Sequence, residues 1–306
     1  MSLDRLPISR RELLIRGAQA ATGLAAIALS ANCRADEAKG PRRGAKLRFG
    51  LTTYQWGKDW DVPTMIANCT AAGALGVELR TSDHYAHGVE LEIGADRRRE
   101  VRKLFADSPV TLIGLASSEK FDWPDAEKLK AAIENSKAYL DLSRDIGGSG
   151  VRVFVNDFQK NIPHEQTLAQ VAKALNVIGA YAADCGQMVR LECHGSAGDL
   201  PTIRAVMDQV TQRSVRVKLN SEARNTAGGG FEHNFNLVKD FLGDTVHVHD
   251  FEDPKFPNQL QIDLLVKTGW AGWILMESSA KVADRVKALK EQRELFEQMV
   301  AKAMAA

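Results

Sequence analysis

The stretch GVRVFVN (residues 150–156), TLAQVAKALNVIGAYAADCG (167–186) and VRLECHG (189–195) decides how the chain folds. The outer runs are short and β-rich, and the middle run is long, helical in pattern and closed by Gly186, where a helix C-cap stands. That is a strand, a crossover helix and a second strand parallel to the first. The same unit recurs along the chain. Further β-rich runs are LRFGLTTY (47–54), GVELRT (76–81), VTLIGLAS (110–117), VRVKLNS (215–221), TVHVHDF (245–251) and GWILMES (272–278). Helical patterns such as VPTMIANCTAAGALG and EKLKAAIENSKAYLDLSRDIG lie between them, each with a glycine near its end. Eight β-then-α units across residues 46–306 predict an α/β fold, a (β/α)8 TIM barrel. A doubly wound open sheet shares the alternation, but the first βα turn, YQWGKDW (54–60), lacks the glycine-rich phosphate pattern of that fold. No linker or composition break divides the region, which reads as one domain.

Residues 1–35 read differently. Ser9-Arg10-Arg11-Glu12-Leu13-Leu14 precedes a mildly apolar stretch and then small residues, which predicts a Tat-type export signal, followed by a short linker over residues 36–45. The apolar stretch has no polar face, which argues against an ordinary amphipathic helix. Cleavage after Ala31 or Ala35 and delivery to the periplasm or cell envelope are the expectation; Asn32 makes Cys33 a poor lipidation site. No later stretch approaches the ~18 apolar residues of a spanning helix, so the mature protein is expected to have no transmembrane segment. Loss of residues 1–35 leaves 35 basic against 37 acidic residues, a net charge of −2. That balance argues against a nucleic-acid partner. The three cysteines that remain, Cys69, Cys185 and Cys193, are an odd number without paired spacing, so no disulfide framework is expected.

In a (β/α)8 barrel the chemistry gathers at the C-terminal ends of the strands. Polar residues concentrate there in the second half: Asn156, Glu192 with His194, Lys218 with Asn220, His247 with His249, and Glu277. Each two-residue spacing puts a pair on one face of its strand. Ionisable groups are rarely buried without partners, so the cluster reads as a site rather than a core. A divalent metal with open positions wants two carboxylates, an imidazole and a further oxygen, which Glu192, Glu277, His247 and Asn220 supply. Taken alone, His247 reads first as a histidine satisfied by a backbone carbonyl; the two glutamates at neighbouring strand ends turn the reading to metal ligation.

The order Leu191-Glu192-Cys193-His194-Gly195, Lys218-Leu219-Asn220-Ser221, Val246-His247-Val248-His249-Asp250 and Leu275-Met276-Glu277 resembles the xylose isomerase-like barrel superfamily, in its sugar phosphate isomerase/epimerase branch. The twin-arginine segment and GVELRT resemble its exported members. The resemblance implies one divalent cation, manganese above all, with zinc, magnesium or cobalt as alternatives, held by Glu192, Asn220, His247 and Glu277. Asn220 stands where the family has an aspartate; an amide oxygen brings no charge, so the site has one formal negative ligand fewer. The implied reaction is proton abstraction next to a carbonyl of a sugar or keto-sugar, with Glu192 and Glu277 as acid and base and His194 and His249 as hydrogen-bond donors or substitute proton carriers.

Trp56, His87, Asn156 and Lys218 are the candidates for holding substrate. Three of them have a plainer reading: Trp56, with Tyr54 and Trp60, could pack beneath the first loop, His87 could be an exposed loop histidine, and Lys218 could be structural. Glu78, Arg80, Arg152 and Lys218 could form a buried ion-pair layer. The loop Asn225–Phe231, with three glycines, is a candidate lid. Alternatives to an isomerase or epimerase are a 3-keto-glycoside lyase or hydrolase using the same proton abstraction, and a sugar-binding barrel without catalysis. An abasic-site nuclease on this barrel would need more His and Asp ligands and a basic groove, and the sequence has neither. A homo-oligomer is compatible with the sequence.

Overall fold

The computed structural model describes residues 46–82 and 85–306. The expected export signal and linker lie outside those residues. Among the described residues eight strands alternate with eight α-helices: β1 (Leu47–Thr52), α1 (Val62–Ala72), β2 (Gly76–Arg80), α2 (Ala95–Ala106), β3 (Thr111–Lys120), α3 (Ala126–Ile146), β4 (Gly150–Phe154), α4 (His164–Asp184), β5 (Met188–Glu192), α5 (Leu200–Met207), β6 (Val215–Asn220), α6 (Phe231–Val238), β7 (Leu242–Val248), α7 (Asn258–Lys267), β8 (Gly272–Met276) and α8 (Arg285–Ala305). Every strand pairs in parallel with its sequence neighbour, and β8 returns to β1, so the sheet closes. This is the (β/α)8 barrel that the alternation predicts.

Local chemistry fixes the helix ends. Asp61, Asp125, Asp199 and Asp284 cap α1, α3, α5 and α8 by accepting from backbone N–H groups of the first turn. Gly73 and Gly147 end α1 and α3 in the left-handed conformation. The apolar core lies between the barrel and its helices; Phe49 on β1, for example, stacks on Phe296 of α8 at 5.5 Å. No helix among the described residues is long and apolar enough to cross a membrane.

The strand ends fall a little earlier than the β-rich runs suggest. β5 stops at Glu192, β7 at Val248 and β8 at Met276. His194, His249 and Glu277 therefore sit just past their strands, where backbone freedom lets them turn into the mouth. β7 also begins three residues before the predicted run, at Leu242. Within the added residues Gly243 O accepts from Trp270 Nε1 and Asp244 pairs with Arg190.

Most barrels of this type fill the lumen with layers of branched apolar side chains. Here a small apolar cluster of Ile113, Trp273 and Leu275 stands apart from the main core, and the layer toward the C-terminal ends is charged. Glu78, Arg152, Glu192, Lys218 and His247 are each at most 1% exposed. Hydrogen bonds from β6 and β7 to Glu78 on β2 cross from one side of the ring to the other, so these side chains fill the lumen.

Candidate active site at the barrel mouth

His247 is the centre of the charged layer. Its Nε2 bonds Glu78 Oε2 at 2.8 Å. Its Nδ1 faces Glu192 Oε1 at 2.9 Å and Glu277 Oε2 at 3.0 Å. Burial works against a charged imidazole, but Glu277 and Glu192 outweigh it and hold the His247 pKa up at about 10. The carboxylates respond in kind. Burial alone would raise Glu192, yet His247 and Arg152 bring it down to about 2. Glu78 and Glu277 are held well below the usual carboxylate range against the same burial, Glu78 by Lys218 and His247, Glu277 by His247 and His249. The layer thus contains three carboxylates and a doubly hydrogen-bonded imidazolium.

Three further cations close the network. Lys218 Nζ lies 2.6 Å from both oxygens of Glu78. Arg80 donates to Glu277 Oε1 at 2.7 Å, and Arg152 Nε stands 3.1 Å from Glu192 Oε2. The expected ion-pair layer of Glu78, Arg80, Arg152 and Lys218 is therefore only partly a unit: Lys218 takes Glu78, whereas the two arginines reach up to Glu192 and Glu277.

Glu192, His247 and Glu277 offer one ligand atom each within 4.8 Å of one another. Asn220, at the end of β6, donates from Nδ2 to Glu192 Oε1 at 2.7 Å, and its buried Oδ1 has no hydrogen-bond partner. Glu78 occupies His247 Nε2 and so directs Nδ1 toward the two other carboxylates, the way a carboxylate orients a metal-ligating histidine. Hard oxygen donors, one imidazole and an orphaned amide oxygen fit a divalent cation. All four predicted ligand positions are thus brought together.

Above them opens a cavity of about 720 Å³, whose wall includes His194, His249, Asn220, Glu277 and Arg80. His194 is held by a hydrogen bond between its Nδ1 and Asn156 Oδ1 at 3.0 Å and by its tilted contact with Phe154. The turn that delivers it needs Gly195, with φ +74; a Cβ there would run into the carbonyl of Asn156. His249 Nε2 lies 3.7 Å from Glu277 Oε2, and that carboxylate raises the His249 pKa over the opposing effect of burial.

The four predicted substrate contacts fare differently. Asn156 acts on His194 rather than facing the cavity wall. Lys218 is wholly buried, does not line the cavity, and bonds both oxygens of Glu78. Trp56 is 4% exposed and donates from Nε1 to Ala280 O, which is packing, not a stacking platform. His87 is neither at the mouth nor exposed. It is 1% exposed, bonds Arg80 O through Nε2 and accepts from Val89 N at Nδ1, and burial pushes its pKa down to about 4. Instead Tyr54, stacked under the Arg80 guanidinium at 4.6 Å, is the aromatic that faces the cavity. The Asn225–Phe231 loop is pinned rather than free at its start: Asn225 is buried and donates to Asn220 O.

A closed parallel barrel with an imidazole and two carboxylates converging past its strand ends defines a barrel with a candidate cation site at the catalytic face. Residues 66–299 match the family model described as xylose isomerase-like TIM barrel, and the chain belongs to that family. No curated protein sequence matches it. Among solved structures it is similar to an L-ribulose 3-epimerase, at 15% identity and a TM-score of 0.71 over 84% of this chain and 95% of the other. It is similar also to the 3-keto-D-glucoside 4-epimerase of E. coli, at 13% identity and 0.70 over 83% and 100%. A third is the IOLI protein with a bound zinc atom, at 15% identity and 0.70 over 84% and 99%. At these identities the likeness is one of fold.

Proposed function

We propose that the protein is a divalent-cation-dependent isomerase or epimerase of small sugars or keto-sugars, working by proton transfer at the carbon next to a carbonyl. The observation that carries this reading is the convergence of His247 Nδ1, Glu192 Oε1 and Glu277 Oε2, of which Glu277 lines the mouth cavity. Glu192, Asn220, His247 and Glu277 would hold the cation, manganese being the first choice for a set of oxygens with one imidazole. When bound, it supplies positive charge for the oxyanion that develops as the proton leaves. Glu277 is ionised and lines the cavity, so it is the base placed to take that proton. Glu192 is 1% exposed and lies below the floor, which fits it for ligation more than for proton transfer. His194 and His249, both on the wall, donate to substrate oxygens.

A second reading, elimination from a 3-keto-glycoside, uses the same base. The charge of the wall favours an unphosphorylated substrate, a keto-glycoside among them. Glu222, Asp250, Glu252 and Asp253 line the cavity, and its Arg80 guanidinium is already bonded to Glu277, so little is left to hold a phosphate. The 3-keto-D-glucoside 4-epimerase among the similar structures supports the same substrate class. The twin-arginine segment supports export to the periplasm, where such unphosphorylated sugars would be met. The test is deuterium wash-in: metal-loaded protein in D2O with D-tagatose, D-allulose, D-fructose and 3-keto-glucosides, read by NMR. Exchange at a carbon next to the carbonyl, lost in Glu277→Gln, is expected. No exchange with any of them would count against an isomerase, epimerase or lyase and favour a sugar-binding barrel.

A further inference from the structure

Arg152 is the anomaly of the lumen. It lies on β4 with no exposed surface, and Nε, Nη1 and Nη2 all lack a hydrogen-bond partner. Its guanidinium carbon stands 4.1 Å over the Phe154 ring, and its Nε lies 3.1 Å from Glu192 Oε2 without hydrogen-bond geometry. A guanidinium buried this way is costly, and an aliphatic side chain is what a barrel layer ordinarily takes. What the arginine does accomplish is to set a permanent positive charge against one of the carboxylates of the cation site.

Both oxygens of Glu192 thus have positive or hydrogen-bonding neighbours, although Oε2 has no hydrogen bond. Oε1 accepts from Asn220 and His247, and Oε2 faces Arg152. A divalent cation held by Glu192 would share that carboxylate with the arginine and be repelled by its charge. Of the other lumen cations, Lys218 is neutralised by both oxygens of Glu78, Arg190 by Asp244, and the His247 imidazolium by carboxylates at both of its nitrogens. Arg80 belongs to the cavity wall with a side chain 16% exposed, where water screens it. Arg152 has no such screening.

We propose that Arg152 sets the affinity of the cation site: by competing for Glu192, beside an Asn220 that adds no charge, it makes the site weak and its cation exchangeable. The inference rests on the reading of Glu192, Asn220, His247 and Glu277 as a cation site. Glu192 passes between two partners, and the balance between them is set by charge rather than by shape.

The test is calorimetric titration of Mn2+ into metal-stripped wild type, Arg152→Met, Arg152→Lys and Asn220→Asp. Arg152→Met is expected to bind at least tenfold more tightly than wild type, a change of about 1.4 kcal/mol, and Arg152→Lys, which keeps the charge, to stay within about threefold of it. If Arg152→Met does not fold without metal, Arg152→Gln replaces it, read by a larger Mn2+-induced rise in melting temperature than wild type shows. An unchanged or weaker affinity in Arg152→Met overturns the proposal, and so does equal tightening in Arg152→Lys. If Asn220→Asp tightens while Arg152→Met does not, the proposal falls and the cation site stands. Absence of binding in all four removes both.

Discussion

Lys218→Met removes one partner of an ion pair that has no contact with solvent. Lys218 Nζ lies 2.6 Å from both oxygens of Glu78, and neither side chain is exposed. Methionine keeps most of the aliphatic stem, so the loss is one of charge and not of packing. Glu78 is left buried with Thr52, whose hydroxyl donates to it at 3.1 Å, and the His247 imidazolium at 2.8 Å. Breaking a buried pair costs about 3–5 kcal/mol. Because His247 still answers part of the Glu78 charge, the lower end of that range, about 3 kcal/mol, is expected. For a domain of this size that corresponds to a fall in melting temperature of roughly 6–12 °C. Urea unfolding of the metal-free protein at pH 7, followed by far-UV circular dichroism, measures it. Adding Glu78→Gln to Lys218→Met removes the orphaned charge and is expected to restore more than half of the loss. A loss below about 1 kcal/mol, the size of an exposed pair, would refute the reasoning.

Other consequences follow from the same geometry. The His247 pKa, about 10 against an ordinary 6.5, is raised in the folded state, so its contribution to stability is full below pH 6.5 and is lost as pH climbs through 10. Urea midpoints of metal-free wild type should therefore fall between pH 7 and 10, and those of His247→Gln should fall less. His249→Gln, which leaves the predicted ligands in place, should lower the deuterium wash-in rate at least tenfold with Mn2+ affinity within about threefold of wild type; a large loss of affinity would make His249 a ligand instead. Gly195→Ala should cost about 1–3 kcal/mol in urea unfolding, because its φ of +74 and the nearby Asn156 carbonyl leave no room for a side chain.

The barrel was legible because its signals are local. Runs such as GVRVF and VRVKLN, bounded by glycine or turn residues, announce strands by themselves, and the polar residues at their ends stand out against them. Glu192, Asn220, His247 and Glu277 could therefore be picked out before any geometry was known. What the sequence hides is who meets whom across the lumen. Glu78 bonds His247 over 169 residues and Lys218 over 140, and nothing in the local pattern of GVELR tells that its glutamate orients the histidine of β7. Arg152 likewise reads as one member of a buried ion-pair layer, and only closure of the sheet sets it against Glu192. His87 and Trp56 were misplaced for the opposite reason: their loops fold back on the barrel, and burial, not sequence position, gives each its partner.

Whether His247, Glu192 and Glu277 hold a divalent cation is read from metal content. Protein reconstituted with Mn2+, passed through a desalting column equilibrated with a low concentration of Mn2+ and analysed by mass spectrometry beside His247→Ala and Glu277→Ala, should carry close to one equivalent above the buffer in wild type and far less in either variant. Equal metal in all three, or none above the buffer in wild type at any concentration up to the millimolar range, would contradict the account.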